Sequence, residues 1–217
     1  MRSYKHWTPR YIADRLALMV YERKRPDAPW LTRSMIDILE TWLRPGDVGL
    51  EFGSGRSTVW FARRVAHLTS VEHDPKWYSK VAGDLRDAGV AERVDYRLLG
   101  DGQTDASASA YVRVTSEMPP DSLDFFLVDG VMREHCALAS LDKIKPGGIL
   151  IVDNIEWYML RENRSSAPGG RCLREGFASE GWKQCAESLK EWRCIWTSNG
   201  VWDTALWVNP AVEKQPK

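Results

Sequence analysis

Val48-Gly49-Leu50-Glu51-Phe52-Gly53-Ser54-Gly55-Arg56-Ser57-Thr58 decides how this chain is read. Val48, Leu50 and Phe52 are apolar and suit a buried strand. Gly53 and Gly55 permit a sharp turn and let the backbone approach a ligand where a side chain would collide. Ser57 or Thr58 is then placed to cap a helix over residues 59–65. A helix start carries free N–H groups and partial positive charge, so it favours an anionic or polar ligand. Glu51 interrupts the apolar pattern. An acid ending a buried strand beside a helix start would face a ligand that carries positive charge or donors. An amino-acid-bearing nucleoside meets both conditions better than a pyrophosphate does.

The same alternation continues downstream. Residues 68–72 read as a second strand ending in Glu72, which lies 17 residues beyond Gly55. Pro75 opens a helix with Trp77, Val81 and Leu85 on one face, and Gly89 stops it. Residues 94–99 read as a third strand, ending in the turn Gly100-Asp101-Gly102. Residues 123–128 form a fourth strand followed by Asp129-Gly130, then a helix over 132–141. Lys145-Pro146-Gly147-Gly148 reads as a tight turn before a fifth strand, 149–152, which ends in Asp153-Asn154. Apolar runs alternating with helices predict a parallel sheet covered on both faces. Glu51, Glu72, Asp129 and Asp153 then fall on one edge of that sheet, the carboxyl edge where open α/β folds bind ligands. After a helix over 182–189, residues 192–197 and 201–208 read as strands around Ser198-Asn199-Gly200, with Asn-Gly as the hairpin signal. The expected fold is α/β, a Rossmann-like doubly wound sheet of seven strands. It is mostly parallel with a C-terminal antiparallel hairpin, and helices lie on both faces.

Glu51-Phe52-Gly53-Ser54-Gly55 resembles the E-x-G-x-G first motif of class I S-adenosylmethionine (SAM)-dependent methyltransferases, and Val71-Glu72 resembles the acidic end of their second strand. The resemblance runs from about Leu43 to Asn209. It implies SAM as cofactor, with Glu51 and the Gly53, Ser54, Gly55 backbone at the methionine end and Ser57 and Thr58 on the helix start beside them. Glu72 would take the ribose hydroxyls, with His73, Asp101 and Gly102 bordering the adenine and Asp129 beside the transferred methyl. Gly-Asp-Gly is equally good turn chemistry at 100–102. The implied reaction is methyl transfer to a small-molecule acceptor, most simply at oxygen. Aminopropyl transfer on the same fold, or a non-catalytic nucleotide-binding module, are the alternatives. An NAD enzyme fits less well, because Thr58 stands where a dinucleotide fingerprint wants a third Gly or Ala.

Val128-Asp129-Gly130 and Val152-Asp153-Asn154-Ile155-Glu156-Trp157 also resemble the acid and the D-N-x-x-W of divalent-cation-dependent catechol O-methyltransferases. That implies Asp129, Asp153 and Asn154 as ligands of Mg²⁺, which favours a few carboxylates plus water and substrate oxygens. Two features leave metal open. The loops of a catechol pocket are not recognisable, and Gly130 with Arg133 resembles D-G-x-x-R forms that need no ion. Asp153 could also cap the turn that follows it. His135, near the start of the helix after Asp129, is a candidate general base or a solvated surface histidine. Trp202-Asp203-Thr204 reaches the site or packs in the core.

The chain has 217 residues, enough for one domain with a substantial core. Residues 1–43 read as an N-terminal helical cap, 44–209 as the cofactor-binding core, and the polar, Gly-rich stretch 160–180 as a lid loop. The cap contains a helix over 8–25 with Ile12, Leu16, Met19 and Val20 at helical spacing, and a second helix capped by Thr32. Arg161, Arg164, Arg171 and Arg174 in the lid suit an acidic substrate or a solvated loop. Thirty Lys and Arg balance thirty Asp and Glu, so no basic footprint for nucleic acid exists. No apolar run of about 18 residues suggests a membrane span, and the opening residues Met1 to His6 lack the apolar core of a signal peptide. The expected location is cytoplasmic. Cys136, Cys172, Cys185 and Cys194 form no C-x-x-C pair and read as free thiols. A homodimer is compatible with the sequence. The 11 tryptophans point to core packing, with several available to line a pocket.

Overall fold

The structure is a computed structural model, and it describes residues 8–100, 109–159 and 175–210. Seven strands form one sheet in the order β3-β2-β1-β4-β5-β7-β6. The strands are β1 (Val48–Phe52), β2 (His67–Glu72), β3 (Val94–Leu98), β4 (Leu123–Val128), β5 (Ile144–Asp153), β6 (Arg193–Ser198) and β7 (Asp203–Val208). The first five run parallel, and β7 pairs antiparallel with both β5 and β6. Strand order reverses between β1 and β4, so a crevice opens at their carboxyl ends.

The helices are α1 (Pro9–Lys24), α2 (Arg33–Trp42), α3 (Arg56–Ala62), α4 (Pro75–Asp87), α5 (Ala110–Arg113), α6 (Arg133–Ser140) and α7 (Glu180–Ser188). Alternation along the buried strands divides the core between two faces. Leu50, Phe52, Phe126, Val128, Leu150 and Val152 pack on one face, with Val112, Ala137 and Trp182. Phe125, Leu127, Ile149, Ile151 and Leu206 pack on the other, with Met35, Leu39 and Phe61. Among the described residues no helix is long and apolar enough to cross a membrane. Cys136 and Cys185 are buried free thiols, and Cys172 lies outside the described residues.

Several local expectations need correction. The apolar stripe of α1 faces outward, with Leu16 57% and Val20 50% exposed. Its spacing is helical, but the helix turns the stripe away from the sheet. The Lys145–Gly148 turn interrupts a strand that has already begun at Ile144, and the register of β4 with β5 shifts across it. Helix α3 starts three residues earlier than the cap residues suggested, at Arg56, and Gly55 is its N-cap. The tryptophans are less buried than expected: among the described residues only Trp60, Trp182 and Trp207 are buried, Trp30 and Trp157 are exposed, and the others are partly covered.

Candidate functional site

The turn after β1 is built around Gly53. Its φ is +89°, and a Cβ there would collide with the backbone of Gly130, so only glycine fits. Gly55 is different. Its φ of 171° is extended, and the nearest atom to a Cβ would be Trp77 at 3.9 Å. Thr58, at the third helical position, accepts from Gly55 N at 2.9 Å and closes the cap from inside the helix.

Glu51, expected to face a ligand, turns into the core. It is fully buried, with one carboxylate oxygen accepting from Ser57 Oγ at 2.5 Å and the other from Thr58 Oγ1 and Ser70 Oγ, both at 2.7 Å. Burial pushes its pKa up to about 7, against the pull of the three hydroxyls. Glu51 therefore ties β1, β2 and α3 together behind the turn. Ser57 and Thr58 direct their hydroxyls inward to it rather than outward.

Glu72 ends β2 at the front of the same turn. Its Oε2 accepts from Ser54 N at 3.1 Å and Ser54 Oγ at 2.8 Å, and its Oε1 accepts from His73 N and Asp74 N at 2.8 Å each. The His73 ring lies beside it, with Nδ1 3.0 Å from Oε1. Tyr96 OH lies 2.7 Å from Ser54 Oγ, and Trp77 Nε1 donates to Ser54 O at 2.7 Å. Ser54 is thus held from three sides. Asp101 and Gly102 lie outside the described residues, as do residues 160–174 of the expected lid with its four arginines.

At the carboxyl ends of β4 and β5, Asp129, Asp153 and Asn154 come together as expected, but around a guanidinium. Arg133 Nη2 donates to Asp129 Oδ1 at 2.9 Å and to its main-chain oxygen at 2.8 Å. Arg133 Nη1 donates to the main-chain oxygen of Asp153 and, at 3.2 Å, to Asn154 Oδ1. Nε donates to Gly130 O at 2.9 Å. Two of the three side-chain donors expected for Mg²⁺, Asp129 Oδ1 and Asn154 Oδ1, are therefore taken by a fixed cation of the chain itself, and the set does not fit a metal centre. Among the described residues, no group of three or more His, Cys, Asp and Glu is arranged to hold a metal ion. Asn154 sits at φ +50°, where a short polar side chain is tolerated. Burial raises Asp129 to about 6 despite Arg133. Burial and then the nearby Asp129 hold Asp153 well above the ordinary carboxylate range.

Asp129, Asp153 and Asn154 line a cavity of about 290 Å³ together with Glu22, Trp30 and Trp202. No periodic signal marks Glu22 on α1 or Trp30 in the α1–α2 loop as site residues. Trp202-Asp203-Thr204 divides its roles. Trp202 lines the cavity, Asp203 accepts from Trp196 Nε1 at 2.9 Å, and Thr204 Oγ1 donates to Asp153 Oδ1 at 2.5 Å. His135 is not gathered with Asp129 in that cavity. It lines a separate one of about 520 Å³ with Tyr158, Ser179 and Trp182.

The model of a family described as "Methyltransferase domain" matches residues 50–155. No curated protein matches the chain. Among solved structures, the O-methyltransferase from Bacillus cereus in complex with SAH superimposes with a TM-score of 0.59 at 15% identity, covering 93% of this chain and 91% of that one. The O-methyltransferase TomG from Streptomyces achromogenes, in complex with SAM, gives 0.57 at 18% identity, covering 94% and 91%. A precorrin 8w decarboxylase from Methanobacterium thermoautotrophicum gives 0.52 at 19% identity, covering 86% and 95%. At these identities the likeness speaks for the fold.

Proposed function

We propose that this chain, a class I SAM-dependent methyltransferase, transfers the methyl group to an oxygen of a small-molecule acceptor held beside Asp129. The observation that carries the reading is the placement of the Asp129 cavity at the carboxyl ends of β4 and β5, next to the glycine turn of β1. Two structural neighbours that superimpose over more than nine-tenths of the chain bear the name O-methyltransferase, which supports oxygen.

The residues present fit the cofactor. The space in front of Gly55 is open as far as Trp77, so the backbone of Gly53 to Gly55 would hold the methionine end. Glu72 would hold the ribose hydroxyls by exchange with Ser54 Oγ, which keeps Tyr96 OH as its partner. When bound, SAM supplies an electrophilic methyl group on a sulfonium sulfur. The remaining work belongs to the chain. The cavity wall would orient the acceptor so that its oxygen lies in line and about 3 Å from the methyl carbon. Asp129 would accept the hydroxyl proton, since a carboxylate titrating at about 6 is an effective base near neutral pH. Arg133 would hold that carboxylate in place through its two bonds to Asp129. Free thiols at Cys136 and Cys185 accord with a reducing compartment, and the cytoplasm is part of this reading.

The test is transfer from methyl-labelled SAM to a panel of phenols, alcohols and amines, with the product position read by NMR. Label on oxygen, undiminished by EDTA, is the expected outcome. Label confined to nitrogen or carbon overturns the oxygen assignment, and SAM binding without transfer to any acceptor overturns the methyl-transfer reading of this cavity.

A further inference from the structure

We infer that the acceptor carries a positive charge, an ammonium or similar cation, held in the 290 Å³ cavity by Asp153 and Glu22 against the indole of Trp202. This rests on the reading of that cavity as the acceptor site. Its walls supply three carboxyl groups, two indoles and one amide, and no basic side chain.

The three acids are not equivalent. Asp129 has its counter-charge in Arg133, 2.9 Å away. Asp153 has no such partner. Its side chain is buried, at 3% exposure. One oxygen takes the Thr204 hydroxyl, and the other accepts from no described residue, while Asp153 lines the cavity. Arg133 reaches only the main-chain oxygen of Asp153. Glu22 makes no ion pair among the described residues and closes the cavity from α1. A carboxylate withdrawn from water without a counter-charge is costly, and the upward displacement of Asp153 expresses that cost. A cationic guest between Asp153 and Glu22 would remove it.

The aromatic wall points the same way. Indole is the best of the aromatic faces for a cation. Trp30 already shows this, with the Arg56 guanidinium 5.2 Å from its ring centre and Trp77 stacked at 5.9 Å. Among the described residues no cation lies over Trp202, so its ring is the one left for a guest. The Trp202 Nε1–H is buried and has no partner among the described residues, which leaves a donor for an oxygen on the same acceptor. An acceptor bearing both a hydroxyl and an ammonium would satisfy the whole wall.

The experiment is calorimetry on the full chain saturated with SAH, which has no sulfonium, so the probe is the only cation in the site. The probes are tyramine, neutral 4-ethylphenol and anionic 3-(4-hydroxyphenyl)propionate. Tyramine should bind about tenfold tighter than 4-ethylphenol, between the exposed and the desolvated limits of a cation–aromatic contact, with the anion weakest. Asp153→Asn should abolish that preference. Glu22→Gln, on a helix surface that tolerates the change, should reduce it should the Asp153 variant fail to fold. Three probes that bind alike, no binding by any of them, a preference for the anion, or a preference unchanged in Glu22→Gln would each overturn the inference. The first of these outcomes is also what acids serving only the sulfonium would give. Transfer to nitrogen would overturn the oxygen assignment and leave the tyramine preference standing. Transfer to phenols without that preference would do the reverse.

Discussion

Glu51 and Glu72 end neighbouring strands with the same side chain and opposite fates. Glu72 is held open by backbone N–H donors at the front of the turn, and Glu51 is closed in by hydroxyls behind it. Two predictions belong to these residues. Glu72→Ala should weaken SAM binding by roughly 1–3 kcal/mol, the cost of stranding buried hydroxyl partners, as read by calorimetry. Glu51 governs stability instead. Folded, its carboxyl titrates at about 7, and unfolded it returns to the ordinary value near 4.5. Below the ordinary value both states hold the proton and the contribution is complete. It is lost as pH rises through the folded value, because the unfolded chain then releases a proton that the folded chain retains. Denaturant unfolding of the ligand-free protein should show stability falling between about pH 4.5 and 7.5, Glu51 accounting for on the order of 2–3 kcal/mol. Glu51→Gln, which cannot ionise, should flatten the decline by that amount. An equal decline in parent and variant would show that Glu51 is already ionised in the fold.

At the level of the element, Arg133 is the first residue of α6, yet it holds the ends of two strands. Its guanidinium joins the turn after β4 to the turn after β5 through Asp129, Gly130, Asp153 and Asn154. Replacing it with a residue of similar length but no charge, Arg133→Met, leaves Asp129 without its cation and takes the guanidinium away from three main-chain oxygens. We expect a loss of about 2–4 kcal/mol in denaturant unfolding. Arg133→Lys should recover little of it, since a compact ammonium cannot reproduce the planar fork. If Arg133→Met unfolds like the parent, the guanidinium network is not what joins these turns. Helix α1 teaches the opposite lesson. Its helical spacing is plain in the sequence, and the structure adds a Thr8 cap and Pro9 at the first position, but its apolar stripe faces solvent. Periodicity establishes that a helix forms and does not say which side of it meets the sheet.

Across the whole molecule, the cavity is assembled from parts that are distant in sequence. Thr204 on β7 shows how. Its hydroxyl donates to Asp153 on β5 and accepts, at 3.2 Å, from the backbone N–H of Thr32 at the start of α2. Thr204→Val keeps the shape, removes both bonds and leaves Asp153 bare. It should cost about 2–3 kcal/mol in urea unfolding while leaving SAH affinity close to that of the parent, because the proposed cofactor contacts lie at the ends of β1 and β2. A variant as stable as the parent would show that neither bond contributes. The succession of strands and helices along the chain, the glycine turn, the acids at strand ends and the closing hairpin were all legible in the sequence, because runs of apolar residues, Gly φ and turn chemistry act within a few residues. The sequence also brought Asp129, Asp153 and Asn154 to one place. It could not say that Arg133 would stand among them, that Glu51 would face the core, or that Glu22, Trp30 and Trp202 would close the cavity. Those outcomes depend on which side chain first reaches a buried carboxylate. Tertiary packing decides that, by bringing together hydroxyls, a guanidinium and indoles from elements that no local periodicity connects.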